Sequence, residues 1–134
     1  MRDIDKIKFS KNEALVFKAL KNASHPVGAY DLLDQLKVHG LKSPPQVYRA
    51  LERLTELKVA HRVESLNAWT SCREANHENA PVFVICDNCG DVTEHIDRPL
   101  NASLEKIYKK NGFVPGNPIL EIHGRCSDCI SATL

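Results

Sequence analysis

The sequence predicts an α+β chain in two parts: three helices and a β-hairpin, then a smaller strand-rich unit held together by cysteines. Two observations carry that reading. Apolar residues recur at helical spacing as far as Leu57 and change to strand spacing after it. Two C-x-x-C pairs, Cys86-Asp87-Asn88-Cys89 and Cys126-Ser127-Asp128-Cys129, stand in the second half with 36 residues between them.

The elements follow in order. Ser10-x-x-Glu13 is a capping box, and Leu15, Val16, Ala19 and Leu20 behind it give a helix that ends near Asn22, before Ser24-His25-Pro26. A second apolar run, Tyr30, Leu32, Leu33 and Leu36, closes at Gly40 as a left-handed cap. The third helix is the clearest. Ser43 caps it, Pro44 occupies a first turn that tolerates proline, and Val47, Ala50, Leu51 and Leu54 form one stripe. Val59, His61 and Val63 then alternate with Ala60, Arg62 and Glu64; residues 68–72 make a second strand, with Ser65-Leu66-Asn67 as the turn. Three helices followed by a hairpin is the order of a winged helix, whose third helix enters a DNA groove.

Residues 73–81 are polar, contain Pro81 and read as a hinge. Beyond it come a strand over Val82–Ile85, the first cysteine pair, a strand over Val92–Ile96 and a helix over Leu100–Asn111 with Leu104, Ile107 and Tyr108 as its apolar face. Gly112 stops that helix, and a last strand, Ile119–Ile122, leads to the second cysteine pair. The domain boundaries are therefore 1–72, 73–81 and 82–134. A lone core of fewer than about 60 residues is marginal, so the second unit is expected to need a metal and a partner subunit.

Four thiolates from two knuckles make the tetrahedral set of a closed structural zinc site, Cys86, Cys89, Cys126 and Cys129. Disulfides fit poorly. Five cysteines is an odd number, Met1-Arg2-Asp3-Ile4-Asp5-Lys6 lacks a signal peptide's apolar run, and no stretch reaches the roughly 20 apolar residues a bilayer span needs. The expectation is a soluble cytoplasmic protein with no membrane partner. Residues 1–72 carry 12 Lys/Arg against 8 Asp/Glu and residues 73–134 carry 6 against 9, so +4 and −3 lie behind the formal +1. A basic first half suits a polyanionic partner.

With the third helix's stripe turned to the core, Gln46, Tyr48, Arg49, Glu52 and Arg53 face outward. Arginine can take guanine, glutamine adenine, and a tyrosine ring a thymine methyl, while Arg62 on the wing suits a backbone phosphate. The DNA-binding candidates are Gln46, Tyr48, Arg49, Arg53 and Arg62.

Ser43-Pro44-Pro45-Gln46-Val47-Tyr48-Arg49-Ala50-Leu51, the wing, C-x-x-C-G and the late G-x-C-x-x-C together resemble the ferric uptake regulator family of metal-sensing repressors, over essentially the whole chain. The resemblance implies a winged-helix domain, a hinge and an α/β dimerisation domain, with metal at the hinge setting two DNA-reading heads. Gln46 stands where the family usually has threonine.

A regulatory site is expected among the remaining ligands. A wing turn centred on Leu66-Asn67 places His61 directly across from Cys72, with Cβ atoms about 5 Å apart. His77 lies five residues after Cys72, and Glu94 follows the first knuckle. One thiolate, two imidazoles and a carboxylate suit tetrahedral zinc better than iron or manganese. The set His61, Cys72, His77 and Glu94 is also similar to that of the zinc uptake regulators within the family. Iron- and peroxide-responsive relatives carry His-x-His where this chain reads His77-Glu78-Asn79, and a histidine where it has Asn117-Pro118. His123, just before Gly124, is read as supporting the structural zinc from behind.

The expectation is a zinc-responsive repressor of zinc-uptake genes. It is a homodimer on a double-stranded inverted repeat, with two zinc ions per chain (one structural, one regulatory) and no small organic cofactor. An iron, manganese or peroxide sensor of the same family is the alternative. A zinc enzyme is remote: Ile85 rather than proline precedes Cys86, there is no H-E-x-x-H, and four cysteines on one ion leave no open position. A thiol redox protein is the third rival.

Overall fold

A computed structural model describes residues 7–72 and 79–132, so the greater part of the expected hinge, His77 included, lies outside the described residues. The chain divides into two compact units, Met1–His77 and Glu78–Leu134. Among the described residues no helix is long and apolar enough to cross a membrane.

In the first unit, α1 (Lys11–Asn22) starts with the reciprocal cap: Ser10 Oγ accepts from Glu13 N at 3.2 Å and Glu13 Oε1 from Ser10 N at 3.1 Å. Helix α2 (Ala29–Leu36) buries Ala29, Leu32, Leu33 and Leu36. Tyr30, expected on that apolar run, is instead 66% exposed. It lies one residue out of phase with a face that repeats every three to four residues. A 3-10 turn, Lys37–His39, then ends at Gly40 with φ +106°, a conformation that favours glycine. Helix α3 (Pro44–Glu56) buries Val47, Ala50, Leu51 and Leu54, the four positions of its sequence stripe. These residues join Val16, Leu20, Leu32, Leu41 and Trp69 in one core.

Strands β1 (Ala60–Val63) and β2 (Ala68–Ser71) form the antiparallel wing. Its register differs from the expected one. His61 pairs with Thr70, not Cys72, because Glu64–Leu66 form a 3-10 turn and Asn67 takes a left-handed φ of 47°. That turn withdraws Glu64 from the strand and moves the pairing by two residues. A two-residue shift keeps each side chain on its face. Cys72 N donates to Val59 O at 2.9 Å, so the pairing continues past β2 and Cys72 lies diagonal to His61 on the same side.

The second unit is a three-stranded sheet ordered β4-β3-β5, built from β3 (Val82–Cys86), β4 (Val92–His95) and β5 (Leu120–Gly124). Strand β3 pairs antiparallel with β4 and parallel with β5. The parallel pairing requires a crossover, which holds α4 (Arg98–Lys110). Asp97 caps α4 by accepting from Leu100 N at 2.9 Å. On its first turn the buried Asn101 binds both backbone groups of Ala80, accepting from the N–H at 2.6 Å and donating to the carbonyl at 3.2 Å. A fifth α-helix at the end, α5 (Ser127–Ala132), carries Cys129. Sequence periodicity cannot announce a helix of six residues.

Candidate metal centre and nucleic-acid interface

The first knuckle is the turn between β3 and β4. Cys86 ends β3, Gly90 N donates to Cys86 O at 2.9 Å, and Gly90 holds φ +80° to close the turn. The second knuckle leaves β5 at Gly124 and enters α5. Because β5 lies parallel to β3 with Cys86 paired to Gly124, the two turns meet at one end of the sheet. Their four ligand sulfurs lie within 4.8 Å of one another.

The spacing decides what such a cluster can hold. Zinc–sulfur bonds of about 2.3 Å put sulfurs about 3.8 Å apart at the corners of a tetrahedron. The Cys86–Cys129 and Cys89–Cys126 sulfur pairs are 3.6 Å and 3.8 Å apart. A disulfide would need about 2.05 Å, and none joins any of the five cysteines. The donor set fits a closed Zn(Cys)4 site.

Its protons are unevenly held. The Cys89 N–H, then the Cys126 N–H, donate to Cys86 Sγ at 3.5 and 3.3 Å; together they overcome burial and lower the Cys86 pKa to about 6. The Asp91 backbone pulls Cys89 downward, but the crowding sulfurs of Cys86, Cys129 and Cys126 outweigh it and push Cys89 up to about 12. Cys129 is also raised: the Asn88 side chain lowers it, and Cys126, Cys86 and burial win. Without a cation, the cluster therefore stabilises the Cys86 thiolate and opposes ionisation of Cys89 and Cys129. His123 braces the arrangement from β5. Its Nδ1 lies 2.8 Å from Asp87 Oδ1 inside the first knuckle, and its Nε2 lies 3.6 Å from Glu121. The Asp87 hydrogen bond is the main cause of a raised His123 pKa.

The expected regulatory ligands are distributed over both units. His61 is 2% exposed on β1, Cys72 is half-buried at the end of the wing, and Glu94 is half-buried on β4, paired with Phe83.

Of the residues expected to face DNA, Arg49 and Arg53 are exposed on α3, and Arg53 forms an i,i+3 pair with Glu56 at 3.4 Å. Gln46 is differently employed. Its Oε1 accepts from Lys42 N at 2.7 Å and Ser43 N at 3.2 Å, completing a second capping box. An adenine contact needs that same oxygen as acceptor, so in this arrangement Gln46 fixes the start of α3 rather than offering a bidentate edge. Tyr48 is half-buried and meets Trp69 nearly perpendicular, centroids 5.9 Å apart. Arg62 is exposed on the wing, with its guanidinium 5.4 Å from the Trp69 ring centroid. Trp69 entered the sequence reading only as a strand residue; its position across from Arg62 depends on the wing register.

Comparison with known proteins bears on the whole arrangement. Residues 5–123 match the ferric uptake regulator family. The chain is 36% identical over 108 residues to the zinc uptake regulation protein of Escherichia coli (strain K12), covering 78% of this chain and 62% of that relative. The match thus spans less than two thirds of the relative's own length. Among solved structures, holo XcZur superposes with a TM-score of 0.74 at 35% identity, covering 94% of this chain and 89% of that one. A zinc uptake regulator complexed with zinc and DNA superposes with a TM-score of 0.76 at 29% identity, covering 95% and 86%.

Proposed function

The chain belongs to the ferric uptake regulator family, and from that premise we propose that it is a zinc-responsive, DNA-binding transcriptional repressor of zinc-uptake genes, acting in the cytoplasm as a homodimer. The observation that carries this reading is the likeness, in sequence and fold, to zinc uptake regulators that include a zinc- and DNA-bound one. The winged helix supplies the DNA-reading part, with Arg49, Arg53 and Tyr48 on α3 and Arg62 on the wing. Cys86, Cys89, Cys126 and Cys129 hold a structural zinc. The exposed Val84 and Ile122, paired across β3 and β5, provide an apolar sheet face for a second copy of the chain.

His61, Cys72, His77 and Glu94 are the ligands of a second, regulatory ion. Two come from the wing and one from the second unit, so only a conformation that brings all of them to one ion completes the coordination. A ligand shifts a conformational equilibrium by its differential affinity for the two states. Binding there would select one arrangement of the DNA-reading heads over an inverted repeat. The diagonal placement of His61 and Cys72 keeps both on one side of the wing. A single thiolate with two imidazoles and one carboxylate favours zinc over iron or manganese; metal competition ahead of a DNA-binding assay checks that preference.

Elemental analysis should find two zinc ions per chain, one removed by mild chelation. Cys72→Ser should keep the tightly held ion and lose zinc-dependent DNA binding. A variant that still responds to zinc in a gel shift would remove Cys72 from the sensor.

A further inference from the structure

Trp69 joins the wing to the recognition helix by more than packing. It is 5% exposed and sits on β2 directly across from Arg62. Its main chain is held on the other side by Val27: Val27 N donates to Trp69 O and Trp69 N to Val27 O, each at 2.8 Å. The indole is therefore fixed in place before any ligand arrives. The Arg62 guanidinium lies 5.4 Å from the ring centroid, within cation–π range. Arg62 also donates to Asn67 Oδ1 at 3.0 Å, and Glu64 Oε1 lies 3.8 Å from its second terminal nitrogen. Tyr48, from α3, approaches the same indole with an interplanar angle of 75°.

Two groups assigned to DNA, one on the helix and one on the wing, thus share a single buried backstop. Long side chains lose rotamer freedom when they bind, and a group already held in its bound position loses less. We propose that Trp69 is a positioning residue that presents Tyr48 and Arg62 as one preorganised surface, so that helix and wing engage a single stretch of duplex together, Arg62 on a backbone phosphate and Tyr48 on a base edge. This rests on the DNA-binding reading above.

The test uses the full zinc-loaded chain and a duplex that the wild-type protein selects from random-sequence DNA, with affinity followed as salt is varied. Arg62→Ala should flatten the slope of log affinity against log salt by about 1.8 for the bound dimer, the equivalent of one phosphate per protomer. Trp69→Met keeps a flexible apolar side chain there without a π face and should flatten the slope equally. Trp69→Phe keeps a face for the guanidinium and should retain the wild-type slope. The double variant Arg62→Ala/Trp69→Met should be no flatter than Arg62→Ala alone. A folded Trp69→Met with the full slope, or effects that add in the double variant, would overturn the proposal. Should Trp69→Met fail to fold, a cycle of Arg62→Ala with Tyr48→Leu reads the same coupling with Trp69 intact; additivity there overturns it too. A wild-type chain that selects no duplex overturns the DNA-binding reading itself, and this inference with it. Binding with unchanged salt slopes in every Trp69 variant overturns only the role of Trp69.

Discussion

At the scale of single residues, the cysteine cluster has a consequence that pH exposes. Cys89 and Cys129 have raised pKa values, so both hold protons near neutrality and must release them to become ligands. Metal binding that expels at least two protons strengthens as pH rises, by about a hundredfold per unit. Competition with a chelator at pH 6.5 and pH 7.5, tightness expected at the higher, checks both sign and size. The Asp87–His123 contact runs the other way. A histidine whose pKa is raised in the folded state stabilises below its ordinary value, and that contribution fades as pH climbs through the folded value. Asp87→Asn should move the His123 midpoint down toward about 6.5, followed by NMR titration. The C-x-x-C spacing pointed to four candidate ligands without any structure, since each turn is local. Ser43-x-x-Gln46 has the same capping-box spacing as Ser10-x-x-Glu13, so the cap role of Gln46 was legible but was passed over for an outward-facing one; the partners of Trp69 were not legible. A side chain that looks outward on a helical wheel can be spent on its own cap, and an indole's contacts come from elements distant in sequence.

At the scale of elements, local chemistry was largely written in the chain. The boundaries of α1 follow Ser10 and Glu13, those of α3 follow Ser43 and Pro44, and the stripe of α3 is buried residue for residue. Gln46→Ala tests what that second cap contributes. It should lower the stability of the first unit by about 1 kcal/mol while leaving base discrimination nearly intact, measured by thermal melting beside binding to single-base variants of the selected duplex. A large loss of discrimination at one base with no change in melting would return Gln46 to the base-reading set. The wing was the element read least well. Its strands were found, but its register turns on a 3-10 turn and on Asn67 at φ 47°, where no glycine advertises the left-handed conformation. The last helix, α5, escaped because six residues give no period to detect.

At the scale of the whole molecule, the second unit exposes what a lone chain would be expected to cover. Val84 is 44% and Ile122 55% exposed at paired positions in the centre and edge strands of one sheet. Placing a charge there opposes burial against a second copy. Val84→Glu should convert a dimer into a monomer at micromolar concentration, seen by sedimentation, while the four-cysteine site, built from turns at the end of the sheet, keeps its zinc. A dimer that survives Val84→Glu would move the interface elsewhere. The sequence by itself determined the order of elements, the helix caps and the two cysteine pairs, because each depends on contacts within a few residues. Tertiary structure decided which sulfurs sit at zinc-tetrahedral distances, how the wing is paired, and which aromatic ring stands behind Arg62. Those outcomes depend on strand register and chain crossover, which bring together residues whose separation along the chain carries no local signal.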